Sequence, residues 1–236
     1  MRSLRSRHIL RNDLTCAKEY TYFVTRSKPQ NTAPVRSDGL ATRERLVLAG
    51  EQLFATEGIN APLTAVLHAA GQRNKAALQY YFGSRQGLLD AILERHVEVI
   101  EHERAVILEQ AGQANELPDL STLVAALLVP AANRLRTPHG RNYLLILPQL
   151  LPRLDTSWKS GTMPPSLQHT INAIEARLDA PPIDAHARTT LVQVMQAGVL
   201  AERARQINTE QRRISHEHFV ALSTDMLTGA LGATKT

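Results

Sequence analysis

The sequence predicts an all-α fold, and three observations lead to it. Apolar residues recur at helical spacing in one segment after another, no run alternates apolar and polar residues as a half-buried strand would, and glycine or proline separates the periodic segments. With 236 residues, 43% of them apolar and only 4% aromatic, the chain has the size and composition for one main core and is too apolar to be disordered throughout.

Residues 1–38 lack sustained periodicity and read as a flexible basic arm. The pattern changes from Leu40 onward. Leu46, Ala49, Gly50, Leu53 and Phe54 form the apolar stripe of an amphipathic helix, with Asp38 as its expected N-cap and Gly58 as its stop. Asn60 and Pro62 suit the start of a second helix that buries Leu63, Val66, Leu67 and Ala70 before Gly71 ends it. Residues 72–74 make a tight connection into a third helix, Lys75 to Tyr81, which carries Ala77, Leu78, Tyr81 and Phe82 toward the core. Three short helices with a glycine turn make a helix-turn-helix unit over residues 39–83.

Residues 84–230 continue as helices. Ser84 caps a long helix to Glu109 that buries Leu88, Leu89, Ile92, Val99, Val106 and Ile107, with Arg, Glu and His on its wet face. A loop over residues 112–118 precedes a helix from Asp119 to Arg136, kinked at Pro130. Pro138-His139-Gly140 is expected to break it, and Arg141 to Arg153 to resume, bent near Pro148; residues 155–165 read as an exposed loop. Helices from Ser166 to Leu178, Asp184 to Ile207 and Ser215 to Gly229 follow, and residues 231–236 read as a flexible tail.

The formal charge of +5 is misleading as evidence for a polyanionic partner, because its distribution is uneven. Residues 1–38 hold eight Lys or Arg against three acids, so the arm carries the whole excess and the other 198 residues are formally neutral, with 19 of each sign. Several function classes drop out. The longest near-apolar stretches, Leu123 to Ala132 and Tyr143 to Pro152, are about half the length of a membrane span and contain proline, so no membrane partner is expected. Ile9-Leu10 is followed by Arg11 and Asp13, leaving no apolar signal core, so the chain is expected in the cytoplasm. Cys16 is the single cysteine, which leaves no internal disulfide and no multi-cysteine metal site. Among nine histidines, His96 and His102 are six apart and His216 and His218 two apart, neither of which is a zinc-helix spacing, so they read as solvated or capping residues. No phosphate loop, nucleophile elbow or catalytic pair is present. The expectation is no enzyme, no cofactor and no metal.

The run from Thr42 to Gly58 (TRERLVLAGEQLFATEG), then Ala69-Ala70-Gly71, then Leu78 to Leu89 (LQYYFGSRQGLL), resembles the N-terminal domain of TetR-type transcriptional regulators over about fifty residues in order. The stretch from Gly58 to Gly71 is slightly shorter than the family pattern and that from Gly71 to Tyr80 slightly longer, and Arg73-Asn74 replaces the usual serine-containing turn, which leaves the base-reading register open. The chemistry of the third helix suits a major groove. Arg73 or Lys75 can bond guanine, Asn74 and Gln79 can pair with adenine, and small Ala76 permits close approach. Tyr80 and Arg85 stand where the family places phosphate contacts, and Thr64 can reach the backbone from the second helix. The arm is either an added set of phosphate contacts or an unstructured extension.

The resemblance implies a homodimeric repressor, released from a palindromic operator in double-stranded DNA by an unidentified small ligand. It implies a C-terminal domain over 84–230 for effector binding and dimerisation, with Tyr143, Leu144, Leu147, Leu151 and Trp158 as pocket walls. Val192, Met195, Val199, Phe219, Leu222 and Met226 are the expected dimer interface. Alternatives are a helical small-molecule-binding enzyme that retains the N-terminal helices, or a constitutive DNA-binding protein or activator without an effector.

Overall fold

A computed structural model describes residues 37–113, 118–157 and 163–233. The described residues are helical, with no strand among them: α1 (Ser37–Glu57), α2 (Leu63–Ala69), α3 (Ala76–Phe82), α4 (Arg85–Gln113), α5 (Leu120–Asn133), α6 (Pro138–Ser157), α7 (Pro165–Glu175), α8 (Pro182–Asn208) and α9 (His216–Gly232). A 3-10 turn, Arg134–Arg136, joins α5 to α6.

Two apolar clusters organise the chain. The first gathers Leu46, Val47 and Phe54 of α1, Val66 and Leu67 of α2, Ala77 and Leu78 of α3, and Leu88, Leu89 and Ile92 of α4. Ile146 and Leu150 of α6 complete it, so the helix-turn-helix unit is not closed without the C-terminal body. Gly50 serves this packing: a Cβ there would lie 3.1 Å from Leu88 Cδ2, so glycine lets α1 and α4 approach closely. The second cluster centres on α5, which is apolar on all sides and buries Leu123, Val124, Leu127, Leu128, Ala131 and Ala132. Around it pack α4, α7 and α9, while α8 packs on α6.

The element boundaries depart from expectation in instructive places. Helix α1 starts at Ser37, which puts Asp38 within the first turn rather than before it. Pro138–Gly140 opens α6 rather than breaking a helix: Thr137 Oγ1 accepts the Gly140 N–H at 3.0 Å as a cap, and proline at the first position needs no N–H partner. Helix α6 then runs on through Asp155–Ser157, expected as loop; residues 158–162 lie outside the described residues. Leu231, expected in a tail, is 0% exposed and belongs to the core. The arm lies outside the described residues up to position 36.

Helix α4 carries the largest correction. Val99 and Val106, expected in the core, are surface-facing, whereas His96, Glu101 and Arg104, expected on the wet face, are buried. The buried polar groups are paired, as burial requires. Arg104 Nη1 bonds Glu101 and, at 3.3 Å, Ser166 Oγ; its Nε donates to the Ala126 carbonyl at 3.1 Å. The second Glu101 oxygen accepts the backbone N–H of Ser166 at 3.0 Å, at the start of α7. Charge here joins three helices.

Candidate nucleic-acid interface

Helix α2 ends because Gly71 takes φ +67, a left-handed conformation open to glycine at low cost, with the Gln72 N–H bonded back to the Leu67 carbonyl at 2.8 Å. The chain then re-enters helix at α3. Asn74 Oδ1 accepts the Ala76 N–H at 2.9 Å, so the Asn74 side chain holds the helix entry. The cap uses one of the two lone pairs of Oδ1 and leaves Nδ2 outward. Ala77 and Leu78 anchor α3 in the first cluster, while Tyr81 and Phe82 are partly buried against it. Their rings pack 6.3 Å apart, and the Arg43 guanidinium lies 5.4 Å above Phe82.

The opposite face is open. Thr64, Arg73, Asn74, Lys75, Ala76, Gln79 and Tyr80 are all exposed, and Tyr80 is 67% exposed with its ring edge-on to Tyr81. No ion pair engages Arg73 or Lys75 among the described residues. A feature of the sequence strengthens this: from Gly58 to Leu89 the chain has no Asp or Glu, while Arg73, Lys75 and Arg85 fall within it. The formally neutral body thus contains an acid-free segment, which whole-chain counting hides.

Arg85 turns inward. Its Nη1 donates to the carbonyls of Ile59 at 2.9 Å and Ala61 at 2.6 Å, and its guanidinium lies 5.7 Å above the Phe54 ring. The side chain placed by resemblance at the DNA backbone therefore clamps the α1–α2 connection to the start of α4. Ser84 Oγ caps that helix by accepting the Gly87 N–H at 3.0 Å.

A polar row ties this unit to α6. Glu51, fully buried on α1, accepts from His96 Nε2 at 3.0 Å and from His139 Nδ1 at 2.8 Å. Burial acts most strongly on the Glu51 carboxyl and raises its pKa, yet the hydrogen bonds and charges of the two histidines outweigh it, so the group is held below the ordinary value. Asn142 donates to Gln52 at 2.9 Å, and Gln149 Oε1 accepts the Ile59 N–H at 3.0 Å. None of these pairs is visible from local sequence.

The expected pocket residues divide. Tyr143 and Leu144 are buried and Leu147 is half-buried; the Leu151 side chain and Trp158 lie outside the described residues. Tyr143 stacks on His96 with ring centroids 4.6 Å apart, which places it at the α4–α6 junction. Burial pushes its hydroxyl up to about 12, against the lowering influence of Arg104 and Arg134. The expected dimer residues also divide. Val192 and Phe219 are 2% and 8% exposed and serve the internal core, a correction of their expected role. Met195, Val199, Leu222 and Met226 remain exposed, joined by Leu191 and Val194 of the same helix as Met195. No group of His, Cys, Asp and Glu among the described residues could hold a metal ion, and no helix among them is long and apolar enough to cross a membrane.

The described chain is thus an all-helical protein with a helix-turn-helix unit docked on a larger helical body. No family model matches it, and no curated protein does. Among solved structures it is similar to Salmonella enterica GusR, at 19% identity over 86% of this chain and 99% of that one, with a TM-score of 0.43.

Proposed function

We propose that this chain is a DNA-binding transcriptional regulator that reads double-stranded DNA with α3, acts as a symmetric dimer and is released from its operator by a small ligand. The observation that carries the reading is the outward set Arg73, Lys75, Ala76, Gln79 and Tyr80, supplied by a segment without Asp or Glu and anchored from behind by Ala77 and Leu78. Such a face meets the two needs of the major groove: hydrogen-bonding groups at its tip and positive charge without carboxylates to repel phosphate.

One short helix covers few base pairs, so useful specificity calls for two copies with their reading helices about 34–36 Å apart. The outward apolar face of α8 and α9, with Leu191, Val194, Met195, Val199, Leu222 and Met226, supports pairing of two chains there. On this reading, a ligand among the C-terminal helices acts through α6, whose contacts with Glu51, Gln52 and Ile59 bear directly on α1 and its connection to α2. A coupling of about 1–3 kcal/mol would weaken operator binding roughly 5- to 150-fold. Selection of bound sequences from random duplexes tests the reading. It predicts recovery of an inverted repeat, and recovery of no preferred sequence would overturn it.

A further inference from the structure

Helix α8 and the connection to α9 flank an open groove of about 1150 Å³, whose lining includes the apolar Val199, Ile214 and Phe219 and the cationic Arg203, Arg212 and Arg213. Arg203 is 4% exposed, yet no carboxylate pairs with it among the described residues. Its Nη2 donates to the Ser215 carbonyl at 3.4 Å and also to that of Ile214, its Nη1 reaches Gln206 Oε1 at 3.5 Å, its guanidinium lies 5.1 Å above the Phe219 ring, and its Nε–H is buried without an acceptor among the described residues. The charged neighbour that bears on it is another cation, Arg212, which together with burial lowers the Arg203 pKa. Arg212 and Arg213 are exposed and have no ion pair among the described residues.

Two carboxylates also line the groove. Glu202 is engaged by Arg205 at 2.8 Å and by Gln206 at 3.4 Å, and Glu210 stands at the turn with φ 59; neither offsets Arg203. The field on the other side is positive too, since the His216 imidazole is held below its ordinary pKa by burial first and then by Arg136 and Arg203, with Glu217 opposing. Arg203 thus has carbonyl and amide partners but no counter-charge among the described residues, and a groove that adds two exposed guanidinium groups and an aromatic wall supplies what a bound anion needs.

We propose that this groove binds a small organic anion, a carboxylate or phosphate on an apolar body, with Arg212 and Arg213 holding the anionic group and Val199, Ile214 and Phe219 the body. The site stands apart from Tyr143 and the α4–α6 junction; it does not depend on α3 reading DNA, and it shares Val199 with the outward face of α8 on which the proposed pairing rests. Its test uses the full chain without DNA: titration with phenyl phosphate and with benzoate at constant ionic strength, followed by calorimetry, with phenol as the neutral probe. The site predicts that at least one anion binds with a millimolar or lower Kd, that phenol binds at least about tenfold more weakly, and that Arg212→Ala with Arg213→Ala weakens the anion roughly tenfold or more. The double variant removes only exposed side chains without an ion pair among the described residues, so its melting temperature should stay at the wild-type value. Equal binding of phenol and the anions, undiminished binding by the double variant, or no anion binding at about 10 mM would each overturn the proposal.

Discussion

Replacing Glu51 with leucine tests the junction between the helix-turn-helix unit and the body. Leucine is close to glutamate in volume, so the main loss is chemical: two imidazoles lose their shared acceptor. They do not suffer equally. The His139 side chain is 54% exposed and can turn to water, whereas that of His96 is 9% exposed and stacked beneath Tyr143. The penalty therefore falls on one buried unsatisfied donor, about 1–3 kcal/mol. For a chain of this length each kcal/mol lowers Tm by about 2–4 °C, so a fall of roughly 4–8 °C is expected at the middle of that range. The pH dependence has a definite sign. Because the folded-state pKa of Glu51 is depressed, its contribution is fully present above the unfolded value of about 4.3 and is lost as pH falls through the folded value. Urea unfolding of wild type and Glu51→Leu should show a constant gap near pH 7 that narrows in acid below about pH 4. A variant as stable as wild type at neutral pH, or a gap that widens in acid, would refute the reasoning.

Other perturbations separate roles that the structure distinguishes. Gln79→Ala should change base preference at one position by about 1–3 kcal/mol of discrimination, measured by competition between variant duplexes; equal loss on specific and random DNA would argue against direct readout. Arg85→Ala should lower stability by about 1.5–3 kcal/mol, because charged hydrogen bonds to the Ile59 and Ala61 carbonyls are lost, while the slope of DNA affinity against salt stays near the wild-type value. Leu222→Glu, at a position 46% exposed, should give monomers of unchanged helicity by light scattering and circular dichroism, whereas Val192→Glu, at 2% exposure, should lower Tm sharply or abolish folding. Gly140→Ala would set a Cβ 2.0 Å from the Arg134 carbonyl oxygen, so thermal melting should report a loss of about 1–3 kcal/mol.

Elements whose existence rests on local periodicity and on glycine were legible in the chain itself. Helices α1 to α3 follow from the spacing of Leu46 to Phe54, from Val66-Leu67 and from Ala77-Leu78, and Gly58 and Gly71 stop helices because their φ values of +91 and +67 lie where other residues are strained. The outward chemistry of Gln79 was legible for the same reason: the face opposite an apolar pair on a short helix points away from the core, while Arg73 and Lys75 are exposed because they precede the helix, in the connection from α2. Only the tertiary structure decided which charged and polar side chains go inside. Glu51 meets His96 at 45 residues' separation and His139 at 88, and nothing near any of the three in sequence signals the other two. A buried charge is tolerated only with its partner, so its position is a property of the pair and not of the local pattern. The same holds for α8 and α9. Val192 and Phe219 face inward while Leu191, Val194, Leu222 and Met226 face outward, because both helices carry apolar residues on more than one side and the neighbours they pack against, not their periodicity, set which side is buried.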